Sequence, residues 1–194
     1  LFAWVTASFI HAWITRGYPA VFMAFLTHWT VSFQIAYLGS SFLLSLFGGP
    51  RWLVNFAWLQ YSLAVVFGVG VVLVFWFTEY DTNNFVLDYW QVFAHGGSFL
   101  ITFFDGYFIN QTPMRLKHCL YIQLWATLFV AWSIIFTVAG IDNPFKDDDE
   151  SQGLYKILDW EEDPSSAAIV SAVMIIVVLP VNDIIFWSIT LCCR

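Results

Sequence analysis

The chain has 194 residues, of which 60% are hydrophobic, 21% aromatic and only 11% charged. An ordinary soluble domain is about 25% charged, so this composition excludes a water-soluble fold. The apolar residues also form blocks of about 20 residues or more, the length that a helix needs to cross the hydrocarbon core of a membrane. We therefore predict an integral, multi-pass, all-α membrane protein.

The net charge of −7 comes from one segment. Nine acidic residues and two lysines lie between residues 142 and 163, and the remaining charges balance. This segment contains the run Asp147-Asp148-Asp149-Glu150, which lacks the alternating ligands and the glycine of an EF-hand. We interpret residues 142–164 as an acidic extramembrane loop. Because the chain has no basic patch, we expect no nucleic-acid partner.

Charged and turn-forming residues divide the chain into about six spans. Glycine and proline at the junctions cannot continue a helix cheaply, and the breaks in hydropathy fall at the same places. The predicted spans cover residues 1–15, 20–47, 52–77, 86–109, 116–140 and 166–192. Connections are short except for the acidic loop. Consecutive helices should therefore be antiparallel neighbours in a single transmembrane helical bundle comprising residues 1–194.

Polar side chains form one stripe in the second predicted span and another in the fourth. Successive members are three, four and seven residues apart in the first stripe and alternately four and three apart in the second, which places each set on one helical face. The second-span stripe is Thr27, Thr30, Gln34 and Ser41, with His28 beside it, and the fourth-span stripe is Gln91, His95, Ser98, Thr102 and Asp105. Because polar groups in hydrocarbon usually face a partner or a cavity, we predict that the two stripes face each other in the bundle interior.

Two interpretations of these stripes remain open. One is a buried pocket that takes lipid, lined by Thr27, His28, Gln34, His95, Ser98, Thr102 and Asp105. The other is hydrogen bonding between helices, which membrane bundles supply routinely at about 1 kcal/mol or less per bond. The tenth residue after His95 is Asp105, about 15 Å along a helix axis, so these two side chains cannot form a hydrogen-bonded pair.

We expect neither a cofactor nor a metal. The histidines within spans are His11, His28 and His95. Two axial ligands of a haem must lie at the same depth in the membrane, and the sequence does not place any two of these histidines at one depth. Convergent groups of metal ligands are not visible in the sequence. The cysteines, which are Cys119, Cys192 and Cys193, form no spaced framework.

Four short segments resemble the rolling stone family of multi-span membrane proteins, which is distantly related to the androgen-induced membrane hydrolases of fatty acid esters of hydroxy fatty acids. The similar segments occur in the same order and extend over most of the chain. They are Phe25-Leu26-Thr27-His28-Trp29, His95-Gly96, residues 110–118 (NQTPMRLKH) and residues 155–160 (YKILDW).

The resemblance implies a threonine nucleophile and a histidine base, and Thr27 matches that threonine. In the hydrolases the catalytic histidine follows the histidine of the His-Gly pair by three residues. Here that position is Ser98, and a serine has no basicity near neutral pH. The remaining candidates for the base are His95, one turn away, and His28, beside Thr27. This departure argues against hydrolysis.

The sequence therefore favours a non-catalytic membrane protein with a structural or partner-binding role, such as an accessory subunit of a larger membrane complex. Its partners would be membrane lipids and other membrane subunits. One alternative is an intramembrane lipid-ester hydrolase that uses Thr27 with a displaced histidine. Another is a small redox or transport protein that uses intramembrane His and Asp.

Overall fold

The computed structural model describes residues 1–80, 87–144 and 153–192 of the chain. These residues contain six helices and no strand. The helices are α1 (Phe2–Thr15), α2 (Leu26–Phe47), α3 (Arg51–Glu79), α4 (Tyr89–Ile109), α5 (Leu116–Val138) and α6 (Pro164–Leu191). All but α1, which has 14 residues, are long and apolar enough to cross a membrane. The predicted all-α membrane bundle is confirmed.

The start of α2 differs from the prediction, because the second span begins at Leu26 rather than at residue 20. Residues Phe22–Ala24 form a 3₁₀ turn, and Phe25 is extended. Side chains of the first turn of α2 bind carbonyl groups in this segment: His28 Nδ1 contacts the Phe22 carbonyl, and Trp29 Nε1 donates to the Met23 carbonyl at 2.7 Å. These bonds hold residues 22–24 against the start of α2, although these residues are not part of the α-helix.

Local chemistry explains several helix ends. The left-handed φ of 64° at Gly48 ends α2, and Pro50 immediately precedes α3. Asp88 caps α4, because its carboxylate accepts the Gln91 N–H at 2.9 Å. Asp163 caps α6 in the same way through the Ser166 N–H at 3.0 Å. A side-chain acceptor at this position satisfies one of the unpaired N–H groups of the first turn.

Helix α3 is at the centre of the bundle. It packs against α2, α4, α5 and α6, and 61% of its most apolar stretch is buried, compared with 17% for α6. Glycine allows α4 to approach it closely: a Cβ on Gly106 would lie 2.0 Å from the Tyr61 ring. Because α3 contacts four of the other five helices, it helps to determine where their inward-facing side chains lie.

In the part of the chain that the structure describes, four π-helical turns interrupt or end the spans. They are Phe75–Glu79 at the end of α3, Phe93–Gly97 and Asp105–Ile109 in α4, and Met174–Val178 in α6. The turn in α6 precedes Pro180, which has no N–H and crowds the carbonyl four residues earlier. Each π turn inserts one extra residue and rotates the following side chains, so simple helical phase does not hold across it.

The connection between α5 and α6 folds back onto the bundle. Residues 145–152, which include the acidic run 147–150, lie outside the described residues, as does Cys193. The segment 153–158, here named the covering loop, is attached by Asn143 Nδ2, which donates to the Gly153 carbonyl at 2.9 Å. Leu154 and Leu158 are buried against the α5 side chains Phe129 and Phe136. This part of the predicted extramembrane loop is therefore packed against the bundle, because its leucines bury apolar surface.

Candidate active site

Thr27 contacts His95 across the interface between α2 and α4. Thr27 is the second residue of α2, and its Oγ1 lies 3.2 Å from Nε2 of His95. Both side chains belong to the predicted polar stripes. The structure thus brings together one candidate nucleophile and one candidate base.

Two contacts fix the ring of His95, and a third fixes its backbone. Its Nδ1 lies 2.9 Å from the carbonyl oxygen of Gln91, and because a carbonyl can only accept, Nδ1 carries the proton. In a neutral imidazole this leaves Nε2 as the acceptor, facing the Thr27 hydroxyl. The ring also stacks on Phe75, with centroids 3.6 Å apart and an interplanar angle of 9°. Trp76 Nε1 donates to the His95 carbonyl at 2.9 Å.

The backbone explains how His95 reaches this position. It lies in the π turn Phe93–Gly97 with φ −100° and ψ 22°, outside the helical range. The extra residue of the turn bends α4 and directs the imidazole toward the first turn of α2. In a regular α-helix the His95 side chain would point in a different direction. The position of this candidate base therefore depends on the π turn.

Thr27 and His95 open onto an apolar cavity. Its empty volume is about 700 Å³, which includes space open to the surroundings. Helices α2 to α6 and the covering loop all contribute to its wall. The apolar lining includes Phe67, Val71, Phe129, Met174, Ile175 and Leu179. Such a wall suits an acyl chain, and it excludes most of the water around the two polar side chains.

The covering loop supplies Tyr155 to the same cavity. Its hydroxyl oxygen accepts the Leu26 N–H at 2.9 Å and also interacts with Thr27. The ring contacts Phe25 and Phe129 edge-on or tilted. Burial raises the pKa of Tyr155 well above its ordinary value, so the phenol stays protonated at neutral pH. The sequence analysis missed this residue, because nothing in residue spacing links a loop tyrosine to the start of α2.

His28, the other candidate base, lies on a different side of α2 from the Thr27 hydroxyl. Its Nδ1 contacts the Phe22 carbonyl, and its ring stacks on Phe22 with centroids 3.6 Å apart. Trp90 packs near the same ring at 5.9 Å. Adjacent residues on a helix point about 100° apart, so His28 faces an aromatic cluster and not the Thr27 hydroxyl.

Gln34, Ser98 and Thr102 are deeply buried between the helices and do not line the cavity. Within the described ranges, Oε1 of Gln34, Oγ of Ser98 and Oγ1 of Thr102 have no hydrogen-bond partner. The polar stripes do face the bundle interior, as predicted. However, only Thr27 and His95 among the seven candidate residues reach the cavity.

Asp105 belongs to a separate hydrogen-bond network at the far end of α4. Its carboxylate accepts the Tyr37 hydroxyl at 3.0 Å and the Asn110 amide at 2.7 Å. The Tyr37 hydroxyl also lies 3.2 Å from Oγ1 of Thr112. Asp105 therefore ties α2 to the α4–α5 connection, which is a structural role. No group of three or more potential metal ligands occurs in the parts of the chain that the structure describes.

Comparison of the chain with protein-family models, with curated proteins and with solved structures finds no match. The resemblance to the rolling stone family therefore stays a prediction, and what speaks for a function is the geometry of the site itself.

Proposed function

We propose that this protein is an intramembrane hydrolase of lipid esters, with Thr27 as the nucleophile and His95 as the general base. The observation that carries the proposal is the 3.2 Å contact between Thr27 Oγ1 and His95 Nε2, with Nδ1 anchored on a carbonyl. A hydroxyl becomes a useful nucleophile when a base at this distance removes its proton.

The argument against hydrolysis was that Ser98 occupies the position of the histidine that the resemblance implies. That argument loses its force when another histidine serves as the base. Here His95 does so from the preceding turn, while Ser98 is buried away from the cavity. The proposal therefore takes up the hydrolase alternative in place of the non-catalytic role.

The reaction would proceed in two halves. Thr27 Oγ1 attacks the ester carbonyl carbon while its proton passes to His95 Nε2, and the protonated imidazole then protonates the departing alcohol. Water attacks the acyl-threonine while His95 Nε2 takes its proton; the bond to Thr27 Oγ1 then breaks, the imidazolium returns the proton to that oxygen, and the fatty acid leaves. The apolar wall of the cavity supports an acyl chain as the part of the substrate that is bound.

The test is turnover of 4-methylumbelliferyl esters of long-chain fatty acids by the purified protein in nanodiscs. General-base assistance is worth about 10²–10⁴-fold, so Thr27→Val and His95→Gln should each reduce kcat by at least about 100-fold. Matched controls are Thr30→Val and His118→Gln. Thr30 bonds the Leu26 carbonyl and His118 bonds Ser62, and neither lines the cavity. Equal activity of Thr27→Val and the wild type would disprove the proposal.

A second candidate function is that of an accessory subunit. It is favoured by the outer faces of α5 and α6, where only 28% and 17% of the most apolar stretch is buried within the chain. These faces suit lipid or the spans of a partner. Gentle solubilisation followed by sizing tests it: co-migration with a larger complex supports this role, and a free monomer counts against it.

A further inference from the structure

The hydroxyl of Tyr155 lies at the N-terminal end of α2, next to the residue proposed as nucleophile. It accepts the Leu26 N–H at 2.9 Å and interacts with Thr27. The first N–H groups of a helix have no partner within the helix, and the partial positive charge there favours negative charge nearby. Negative charge that develops on a substrate beside Thr27 would therefore be stabilised by the partial positive charge at the N-terminus of α2.

The Tyr155 hydroxyl can donate a hydrogen bond beside Thr27, with which it already forms a side-chain hydrogen bond. Its oxygen is the acceptor for Leu26, so its own O–H is not used in that bond. Because burial raises the pKa of Tyr155, the group remains a neutral donor at physiological pH. Rotation about the C–O bond can direct this O–H into the cavity that Tyr155 lines.

We infer that Tyr155 is a further catalytic residue of the proposed hydrolysis, the donor that stabilises the oxyanion; the inference rests on the proposed function. When the bond between Thr27 Oγ1 and the carbonyl carbon forms, the C=O π pair moves onto the carbonyl oxygen and the threonine proton moves to His95 Nε2. The Tyr155 O–H hydrogen-bonds to that oxygen and keeps its own proton. On collapse the π bond reforms, the bond to the alcohol oxygen breaks, and His95 returns the proton to that oxygen.

Other polar groups on the cavity wall are less suited to this role. Glu79 as a carboxylate can only accept hydrogen bonds. Ser171, on α6, has a hydroxyl without a hydrogen-bond partner in the described part of the chain, and it is the rival donor. Tyr155 differs from Ser171 in its contact with the first turn of α2, where the attack takes place.

The experiment compares Tyr155→Phe with Ser171→Ala and with Tyr61→Phe, a matched buried tyrosine that donates to the Phe103 carbonyl and does not line the cavity. Loss of one oxyanion donor typically lowers kcat by about 10²–10³-fold. Tyr155→Phe should therefore lose about 100-fold in kcat with little change in KM, Ser171→Ala should lose much less, and Tyr61→Phe should stay near the wild type. Tyr155→3-fluorotyrosine, which keeps the ring and the hydroxyl, should retain wild-type kcat.

A binding measurement separates this role from a general loss of structure. A long-chain alkyl boronic acid forms a tetrahedral adduct with the nucleophile, whereas the matching alkyl ether cannot. Tyr155→Phe should weaken binding of the boronic acid by about 100-fold and leave binding of the ether unchanged. Wild-type kcat in Tyr155→Phe, or a loss confined to Ser171→Ala, would overturn the inference while the hydrolase proposal stands. Absence of Thr27-dependent turnover would instead overturn the proposed function.

Discussion

Nδ1 of His95 donates to the carbonyl oxygen of Gln91, four residues earlier in the same helix, at 2.9 Å. This bond is local to α4 and does not depend on packing between helices. It determines which ring nitrogen carries the proton, and so it keeps Nε2 free as an acceptor. The π turn places this ring beside Thr27, and the bond to Gln91 orients it so that Nε2 faces the Thr27 hydroxyl.

The turn is supported from α3 by Trp76, which leads to a first prediction. Trp76 Nε1 donates to the His95 carbonyl, and Trp76→Phe removes that bond while keeping an aromatic ring against Phe75 and Tyr80. Small displacements of a catalytic group can lower rates by up to about 100-fold, so we expect kcat to fall about tenfold while the protein stays folded. Trp160→Phe is the control, because Trp160 donates to Ser133 outside the site. Equal kcat in both variants would show that the turn holds without Trp76.

Gly106 should tolerate no side chain. A Cβ there would lie 2.0 Å from the Tyr61 ring, whereas a Cβ on Gly70 would meet nothing within 4 Å. Overpacking a well-filled interior costs about 1–3 kcal/mol, so Gly106→Ala should lower the melting temperature in detergent by several degrees. Gly70→Ala should leave it unchanged or raise it slightly, because alanine favours a helix over glycine. A melting temperature for Gly106→Ala equal to that of the wild type would contradict the packing of α3 on α4.

Asp88 combines an N-cap with an ion pair. It accepts the Gln91 N–H, and Arg16 NH2 lies 2.7 and 2.5 Å from its two carboxylate oxygens. Asp88→Ala should cost about 1–2 kcal/mol of stability, most of it from the lost cap. Asp88→Asn keeps a capping oxygen and should cost less than about 1 kcal/mol. Thermal melts of the two variants side by side check this order, and equal losses would assign the effect to the ion pair.

The same carboxylate predicts a pH dependence. Partial burial acts to raise the pKa of Asp88, but the Gln91 N–H and the Arg16 guanidinium outweigh it and hold the pKa below its usual value. A lowered pKa in the folded state stabilises the fold at every pH above the unfolded value, near 4. The contribution disappears as the pH falls below about 4 through the folded value. The difference in melting temperature between wild type and Asp88→Asn should therefore be constant from pH 5 to 8 and shrink toward pH 3.

Asp183 should be a source of instability. It is fully buried within α6, and neither carboxylate oxygen has a hydrogen-bond partner in residues 1–80, 87–144 and 153–192. An uncompensated carboxylate is costly inside a membrane bundle, and a neutral amide of the same size is less so. Asp183→Asn should raise the melting temperature by about 2–4 °C, whereas Asp163→Asn at the exposed cap of α6 should change nothing. A lower melting temperature for Asp183→Asn would indicate that the carboxylate has a role of its own.

Helical periodicity was enough to predict the bundle and the inward polar faces of α2 and α4. It could not predict which members of those faces meet, because the π turn at His95 alters the phase of α4. The start of α2 was predicted six residues too early, since hydropathy does not register side-chain bonds from His28 and Trp29 to the preceding carbonyls. The role of Tyr155 could not be predicted for another reason. It belongs to a loop whose position depends on the packing of Leu154 and Leu158.

The position of Thr27 within α2 determines where in the bilayer the chemistry would occur. As the second residue of a 22-residue span, it lies about 3 Å from the start of that helix at 1.5 Å per residue. The scissile bond would therefore lie at the level of the headgroups of one leaflet, far from the bilayer midplane. At that depth a lipid can enter sideways with its acyl chain leading, and the water that completes each turnover comes from the adjacent aqueous phase. The proposed hydrolase would consume lipid from one leaflet only.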